Sequence, residues 1–382
     1  PLVMIKTFFE AMLAEVKPPV PVALGVAVEA VTVGGTTIRS LRGNVRFDER
    51  EWSFDDFGFR APGVTEVNLS GHLENGPHGL AFNGPAKLES ADVNALVAWL
   101  EGRTDQASGP GASLEARGEI TIASDRFALE RLSAALGEET VQGRVAYAWA
   151  TAQRPASMDA ELHAATLNID ALAGFAQASM SYGALEVPHQ LALVFDVGEM
   201  SFAGLDARKV SARVKFDAGI LHIDRLSVGD LGGAALAING RIDELSSQPR
   251  GRLTLNVDAR TLAGLADAAG RFAPKVGDFI RPFADLLAPA NVQGALTVDR
   301  TGSSGTTAKL DLSGQAGAMR LALHGEATGE PRRPGAAVVH IASRFDADDG
   351  GAIVQLLHLD RVVAVDQLPG QVTISVDGPL DG

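Results

Sequence analysis

Apolar and polar residues alternate along most of this chain. Between Val210 and Asp217, the side chains of Ala212, Val214 and Phe216 fall on one side of an extended backbone, and polar side chains fall on the other. Successive side chains of a strand point to opposite faces, so this period of two predicts strands with one buried face. Turns rich in Asp and Gly separate the runs, as in antiparallel hairpins. The sequence therefore predicts a mostly β protein: a long, curled, antiparallel, repetitive β-sheet that forms a groove, with short interspersed α-helices.

Helical periodicity is confined to four segments, namely Leu2 to Val16, Asp92 to Leu100, Asp170 to Met180 and Thr261 to Leu287. In these segments the apolar residues recur at the spacing of a helix rather than that of a strand. The first segment is amphipathic, and its apolar face carries Ile5, Phe8, Phe9 and Met12. We expect this helix to cover a core. The alternative is that it plugs or gates a groove, or lies against a membrane.

At several places, a strand that contains a turn glycine precedes an acidic or amide residue that can cap the start of a helix. Gly71, Gly143 and Gly240 lie in such strands, and a fourth strand, at Gly325, has no clear helix after it. We interpret this recurrence as about four degenerate repeats of one arrangement. The predicted organisation is an amphipathic helix and Pro-rich lead-in at 1–35, β units at 36–110 and 111–204, a β unit with helices at 205–288, and a fourth unit at 289–382 that is cut short.

The negative net charge limits the kinds of molecule that we expect this protein to bind. The 382 residues include 33 Lys and Arg against 47 Asp and Glu, which gives a net charge of −14 with no local basic patch. This charge repels phosphate backbones, so we expect no nucleic-acid partner. A hydrophobic content of 46% favours a folded protein over a disordered acidic tail. The absence of cysteine excludes disulfides and thiolate zinc sites.

The two ends of the sequence indicate a piece of a longer protein. The chain begins at Pro1 rather than Met, and it stops shortly after an alternating apolar run. A membrane-spanning helix needs about 18 consecutive apolar residues, and the sequence contains no such run. We expect any membrane anchor or export signal to lie outside this piece.

Motifs for catalysis and metal binding are weak. The histidines, such as His163, His222 and His324, lack metal-ligand spacing, so we expect neither a metal nor another cofactor. The segment from Phe345 to Gly351 is similar to a calcium loop, but its glycine comes one residue early and no acid stands at the twelfth position. A solvated acidic turn is the prediction there. We expect no enzyme activity.

The third unit resembles a known family. Lys209 to Leu265 contains a strand pair closed at Asp217 to Gly219, a Gly-Gly phrase within Gly229 to Gly240, and a further strand phrase at Pro249 to Leu262. These motifs are similar to those of the AsmA family of Gram-negative bacteria, which includes TamB-like proteins. The first and second units are similar in outline but lack the Gly-Gly pair.

The resemblance implies a periplasmic protein attached to the inner membrane by an N-terminal helix that is absent from this piece. It also implies a role in outer-membrane biogenesis, in which phospholipid or another acyl lipid moves between the inner and outer membranes along an apolar β-groove. Outer-membrane assembly proteins are the implied partners. The resemblance supplies no catalytic residue.

The apolar positions of the third unit are the candidate lining of such a groove. They are mostly small or aliphatic, which suits acyl chains because each buried methylene contributes about 0.8 kcal/mol without directional demand. The candidates are Ala212, Val214, Phe216, Leu221, Ile223, Leu236, Ile238, Leu253, Leu255 and Val257. Two other interpretations stay open: a structural or adhesive β-sandwich array that acts through protein contacts, and a β-helix enzyme that acts on polysaccharide.

Overall fold

The protein is mostly β. The structure, a computed structural model, is 72% strand and 10% helical. It describes residues 20–33, 36–48, 51–76, 79–100, 113–170, 188–245, 247–272, 277–278, 281–301, 305–329, 337–357, 359 and 368–379. The chain divides into two compact units, Pro1–Leu191 and Ala192–Gly382. The predicted mostly β, antiparallel architecture with short interspersed helices is confirmed, and the finer division into four units stays a prediction.

The first unit is a succession of antiparallel strands, each paired with the next one along the chain. Its strands are β1 (Val22–Val33), β2 (Thr36–Asp48), β3 (Glu51–Ala61), β4 (Thr65–Gly76), β5 (Gly79–Ser90), β6 (Leu114–Ala123), β7 (Arg126–Leu136), β8 (Glu139–Ala148) and β9 (Ser157–Asn168). Helix α1 (Val93–Leu100) follows β5. Strand β1 lies within the segment predicted as a Pro-rich lead-in.

The second unit repeats this arrangement, with antiparallel pairing of consecutive strands from β11 to β19. Its strands are β10 (Gln190–Phe202), β11 (Leu205–Asp217), β12 (Ile220–Leu231), β13 (Ala234–Asp243), β14 (Arg250–Ala259), β15 (Ala290–Thr301), β16 (Gly305–Ala316), β17 (Met319–Gly329), β18 (Val338–Ala347) and β19 (Gly370–Pro379). Helix α2 (Ala263–Phe272) and a 3-10 turn (Arg281–Phe283) follow β14, and helix α3 (Gly350–Leu356) follows β18.

Two of the four predicted helical segments are confirmed. Helix α1 begins after Asp92, whose carboxylate accepts hydrogen bonds from the backbone N–H groups of Asn94 and Ala95 at 3.0 and 3.2 Å. The segment predicted at 261–287 contains α2 and the 3-10 turn. The N-terminal segment, with the gating candidates Ile5, Phe8, Phe9 and Met12, lies outside the described residues. So does all but the first residue of the segment predicted at 170–180.

The acidic segment forms an exposed bend at Asp348 and Asp349, as predicted, and a helix that the sequence did not predict begins directly after it. Asp349 caps α3 and accepts a 2.8 Å hydrogen bond from the backbone N–H of Gly351. The buried side chains of Ile353 and Leu356 then pack against the sheet. The helix begins with two glycines, which have low helix propensity, and its stability therefore depends on this cap and on packing.

Local bulges keep the apolar side chains of the long strands on one face. Within strands, a left-handed φ of 50° to 53° occurs at Ser40, Asp56, Arg131 and Lys209. The residues that flank Lys209 show the effect: Ala207 and Val210 are only 6% and 2% exposed although they are three positions apart. Strict alternation would place them on opposite faces, so the left-handed backbone at Lys209 resets the alternation.

Large apolar side chains fill one end of the first unit. Eight residues on consecutive strands lie directly opposite one another and form a continuous row: Phe47, Trp52, Leu73, Phe82, Ile122, Phe127, Tyr147 and Met158. Phe47, Leu73 and Phe82 are 5% exposed or less. The rings of Phe54 and Phe82 meet edge to face with centroids 5.8 Å apart. At the other end of the same strands, Leu96 and Trp99 of α1 cover Ile38 and Ala61.

Small residues line the end of the second unit that the helices cover. Together with Met319, they form a continuous row across β13 to β19. The row consists of Ala234, Ala259, Ala290, Ala316, Met319, Ala347 and Gly370. Leu265 of α2 packs against the alanines of this row, and Ile353 and Leu356 of α3 pack against its Met319 end. Short side chains let the helices approach the sheet closely.

The recurring glycines Gly71, Gly143, Gly240 and Gly325 lie within strands, and other glycines form the turns that contact the helices. The turn between β12 and β13 contains Gly232, whose carbonyl accepts a 2.8 Å hydrogen bond from the Thr261 hydroxyl just before α2. A Cβ on Gly232 would lie 2.7 Å from the Cα of Gly264. In the first unit the Gly63 carbonyl likewise accepts hydrogen bonds from the backbone N–H groups that precede α1. Each of these two glycine turns therefore receives the start of the next helix.

We expect Lys209→Val to destabilise the second unit. A β-branched side chain is strongly disfavoured at the left-handed φ of 53° that the backbone adopts at Lys209. The free energy of unfolding should fall by roughly 1–2 kcal/mol. Urea unfolding followed by circular dichroism measures it, since all three tryptophans lie in the first unit. Lys215→Val, on the same strand but at a regular exposed position, should stay within about 0.5 kcal/mol of the native protein. Equal stability of the two variants would refute the prediction that the left-handed backbone at Lys209 disfavours a β-branched residue.

Gly240→Ala should be more damaging. Its φ is +140°, and an added Cβ would lie 2.2 Å from the carbonyl oxygen of Arg252 on β14. Backbone strain and the clash together should cost at least about 3 kcal/mol. Gly325→Ala is the matched control, because its added Cβ would have no atom nearer than 3.8 Å. That variant should be neutral or slightly more stable. The same urea titration compares them, and a harmless Gly240→Ala would contradict the close strand approach.

Candidate functional site

The ten residues predicted to line a groove lie on one face of the second unit. In antiparallel strands, directly opposite residues share a face. Ala212 is opposite Leu226, Leu226 is opposite Ile238, and Ile238 is opposite Leu255, so this row crosses four strands.

Two further rows run beside it. Val214 is opposite Ile223, and this row continues through Gly240 to Leu253. Val228, Leu236 and Val257 form the other row, and Phe216 is opposite Leu221. We name the ten predicted residues together with Leu226 and Val228 the aliphatic face. The sequence pattern missed these last two because a register irregularity between Ile223 and Leu226 shifts the alternation.

The side chains of the aliphatic face are mostly only partly buried. Ala212 is 1% exposed, whereas the other eleven side chains are half-buried. The large side chains of neighbouring strands bury one another more deeply at one end of the first unit, where Phe54 and Phe82 are 4% and 3% exposed. The difference also lies in side-chain type, since Phe216 is the one aromatic residue of the aliphatic face.

The apolar surface extends beyond these four strands. Val257 is opposite Val292 on β15, and Leu253 is opposite Leu296, which is itself opposite Leu310 on β16. Near the end of the series, Val376 on β19 lies opposite Ile341 and is 53% exposed. Half-buried aliphatic side chains thus continue across the strands of the second unit.

The dimensions of the aliphatic face match those of a lipid tail. Neighbouring strands lie about 4.8 Å apart, so the four strands from β11 to β14 span roughly 14 Å. The hydrocarbon core of a bilayer is about 30 Å thick, which gives each leaflet about 15 Å. One acyl chain laid across the strands would therefore contact aliphatic side chains along most of its length.

Charged groups are concentrated on the opposite face, where they pair with one another. Asp311 accepts a 2.6 Å hydrogen bond from the Nδ1 atom of His324, and the side chains of His340 and Asp377 form a similar pair across β18 and β19. The hydrogen bond with Asp377 and its charge raise the pKa of His340. On β18, a two-pronged hydrogen bond from Arg344 lowers the pKa of the Asp346 carboxyl.

A shallow depression of about 830 Å³ lies on this polar face. Polar and charged side chains such as Arg252, Asp311, His324 and Arg344 line it. Exposed ion pairs contribute little to stability, typically 0 to about 1 kcal/mol, but they keep a surface hydrated. Apolar ligands are therefore favoured on the aliphatic face and disfavoured on the polar one.

The structure also brings together three side chains that the sequence analysis did not connect. Glu51, His72 and Glu74 offer ligand atoms that all lie within 4.8 Å of one another, and they form the one such group of three among the described residues. The signal was the His-x-Glu spacing on β4, which places two side chains on one face of a strand. The third ligand comes from the neighbouring strand and could not be read from spacing.

The structure contains no helix, within its described residues, of the length and apolarity that crossing a membrane requires. A scan against protein-family models and searches of curated proteins and solved structures found no match to this chain.

Proposed function

We propose that this protein binds acyl lipid along the aliphatic face and acts as a periplasmic, AsmA-like component of outer-membrane biogenesis. In this proposal phospholipid is conducted between the inner and outer membranes. A segment outside this piece anchors the protein to the inner membrane, and outer-membrane assembly proteins are its partners. The chain carries out no covalent chemistry.

The observation that carries the proposal is the exposure of the aliphatic face. Its side chains line up in rows across four strands and remain half-buried. Exposed apolar surface is costly in water and often marks a binding site. The absence of charged residues at the twelve positions of this face gives an acyl chain a uniform environment, in which it can move without meeting a strong local barrier.

The sequence resemblance supplies the biological setting. The phrases within Lys209 to Leu265 that are similar to the AsmA family encode β11 to β14 and the helix start that follows. This stretch is the one that carries the aliphatic face. The resemblance and the aliphatic face are read from the same residues, and the half-buried state of these side chains is what the structure adds.

The first unit favours a second candidate function. Its row of large side chains from Phe47 to Met158 and its aromatic contacts form a packed interior of the kind found in β-sandwich cores. This observation supports the structural or adhesive alternative, in which the chain acts through protein contacts. Under the lipid proposal, the first unit is structural and the second unit binds the lipid.

A charge placed on the aliphatic face should abolish lipid binding. We expect Leu255→Asp to lower the phospholipid or fatty acid that co-purifies in gentle detergent at least tenfold, because burying an unpaired carboxylate beside an acyl chain is costly. Native mass spectrometry followed by lipid extraction measures the bound lipid. The matched control is Asn256→Asp, which adds the same charge one residue along, on the exposed polar side of β14. If neither the native protein nor the control retains lipid, the lipid proposal is wrong.

Photo-crosslinking tests the position of the lipid without adding a charge. Benzoylphenylalanine at Leu255 should crosslink to phospholipid in vivo, and the same group at Asn256 should not, because adjacent side chains of a strand point to opposite faces. The adducts are identified by mass spectrometry. Crosslinks to protein at both positions, with none to lipid, would select the protein-contact alternative.

A further inference from the structure

The hairpin formed by β3 and β4 carries a compact set of ligand atoms on its polar face. The Nε2 atom of His72 lies 2.8 Å from a carboxylate oxygen of Glu74 and 3.9 Å from one of Glu51. All three side chains are 40% to 59% exposed, so a hydrated ion could reach them directly.

The strand pairing fixes the backbone positions of these residues. Trp52 is directly opposite Leu73, and Ser53 is opposite His72, so the three side chains emerge from adjoining positions of one ladder. The ring of Trp52 is held by Phe47, with centroids 4.9 Å apart, and Leu73 is 5% exposed. A site built on rigid, packed strands holds its ligands better than a site on a loop.

The spacing fits a tetrahedral zinc ion. Zinc binds imidazole nitrogen and carboxylate oxygen at about 2.0–2.2 Å, so two of its ligand atoms lie roughly 3.4 Å apart. The observed separations of 2.8 and 3.9 Å fall on either side of this value. Small rotations of the exposed glutamates would bring both carboxylates into range.

The chemistry of the group favours a transition metal over calcium or magnesium. Calcium and magnesium prefer ligand sets made entirely of oxygen, whereas imidazole suits zinc and its neighbours. Two carboxylates balance the double charge of the ion. Among the described residues, no Lys or Arg pairs with Glu51 or Glu74, so no basic side chain competes for these carboxylates. The histidine separates this group from the acidic clusters that simply remain solvated.

We propose that Glu51, His72 and Glu74 form a surface zinc site in the first unit. The three side chains supply three ligands, and a water molecule or a group from a binding partner supplies the fourth. Zinc would bind the lone pair of the His72 Nε2 atom that faces Glu74, so the neutral ring would carry its single proton on Nδ1. This site is separate from the aliphatic face, and it stands whether or not the protein binds lipid.

Zinc binding to the chelator-treated protein tests the site. Isothermal titration with zinc chloride, in the presence of excess magnesium, should show one saturable site. His72→Gln should weaken zinc binding at least about 100-fold, and Glu74→Gln at least about tenfold. Even the loss of a residue that only hydrogen-bonds to a metal ligand lowers metal affinity by about 10–100-fold. X-ray absorption at the zinc edge should show nitrogen and oxygen ligands with one imidazole, and no sulfur.

His222→Gln is the matched control. His222 also lies on a strand, with its Nε2 atom 3.6 Å from the carboxylate of Asp224 two residues away, but it belongs to no group of three ligands within the described part of the chain. That variant should bind zinc as the native protein does. Circular dichroism confirms that each variant is folded. The proposal is overturned if the native protein shows no saturable zinc binding, or if His72→Gln binds zinc as tightly as the native protein.

Discussion

The structure depends on one constraint: every long strand must keep its apolar side chains on a single face. A strand of 10 to 13 residues places alternate side chains on opposite faces, and a shift by one position would turn its whole apolar set toward water. Strand twist and bending work against perfect alternation over this length. Left-handed residues such as Asp56 and Lys209 absorb the mismatch, and a glycine such as Gly240 allows the neighbouring backbone to come close. The energetic cost of these left-handed residues is local, whereas the apolar burial that they preserve extends over the whole strand.

Each unit covers its apolar face differently. Helices cover one end of the face in both units, and they can do so because small residues and glycine turns allow close contact. In the first unit, aromatic side chains fill the other end. In the second unit, the side chains of the aliphatic face are mostly small or aliphatic, and all but Ala212 remain half-buried. A packed interior needs no ligand. An apolar ligand would, however, stabilise an aliphatic surface that is left half-buried. This contrast is why we place lipid binding in the second unit.

The polar face contributes to function in another way. Cross-strand pairs such as His324 with Asp311 keep it hydrated, and they direct apolar ligands to the opposite side of the sheet. The same period of two that separates the faces also places polar side chains close together at fixed positions. At Glu51, His72 and Glu74 this produces three ligand atoms on rigid strands. A metal at this position would bind to the first unit without disturbing the aliphatic surface of the second.

The sequence by itself determined the mostly β class, the antiparallel connections and the helices α1 and α2, because alternation, turn glycines and caps are local signals. It also determined which face of β11 to β14 is aliphatic. The tertiary structure decided where the alternation shifts, which added Leu226 and Val228 to that face, and it decided that Asp349 starts a helix. It also decided that Phe54 and Phe82 of the first unit are deeply buried and that Glu51 joins His72 and Glu74. These features depend on strand register and on packing between residues distant in sequence, and no local pattern specifies either of them.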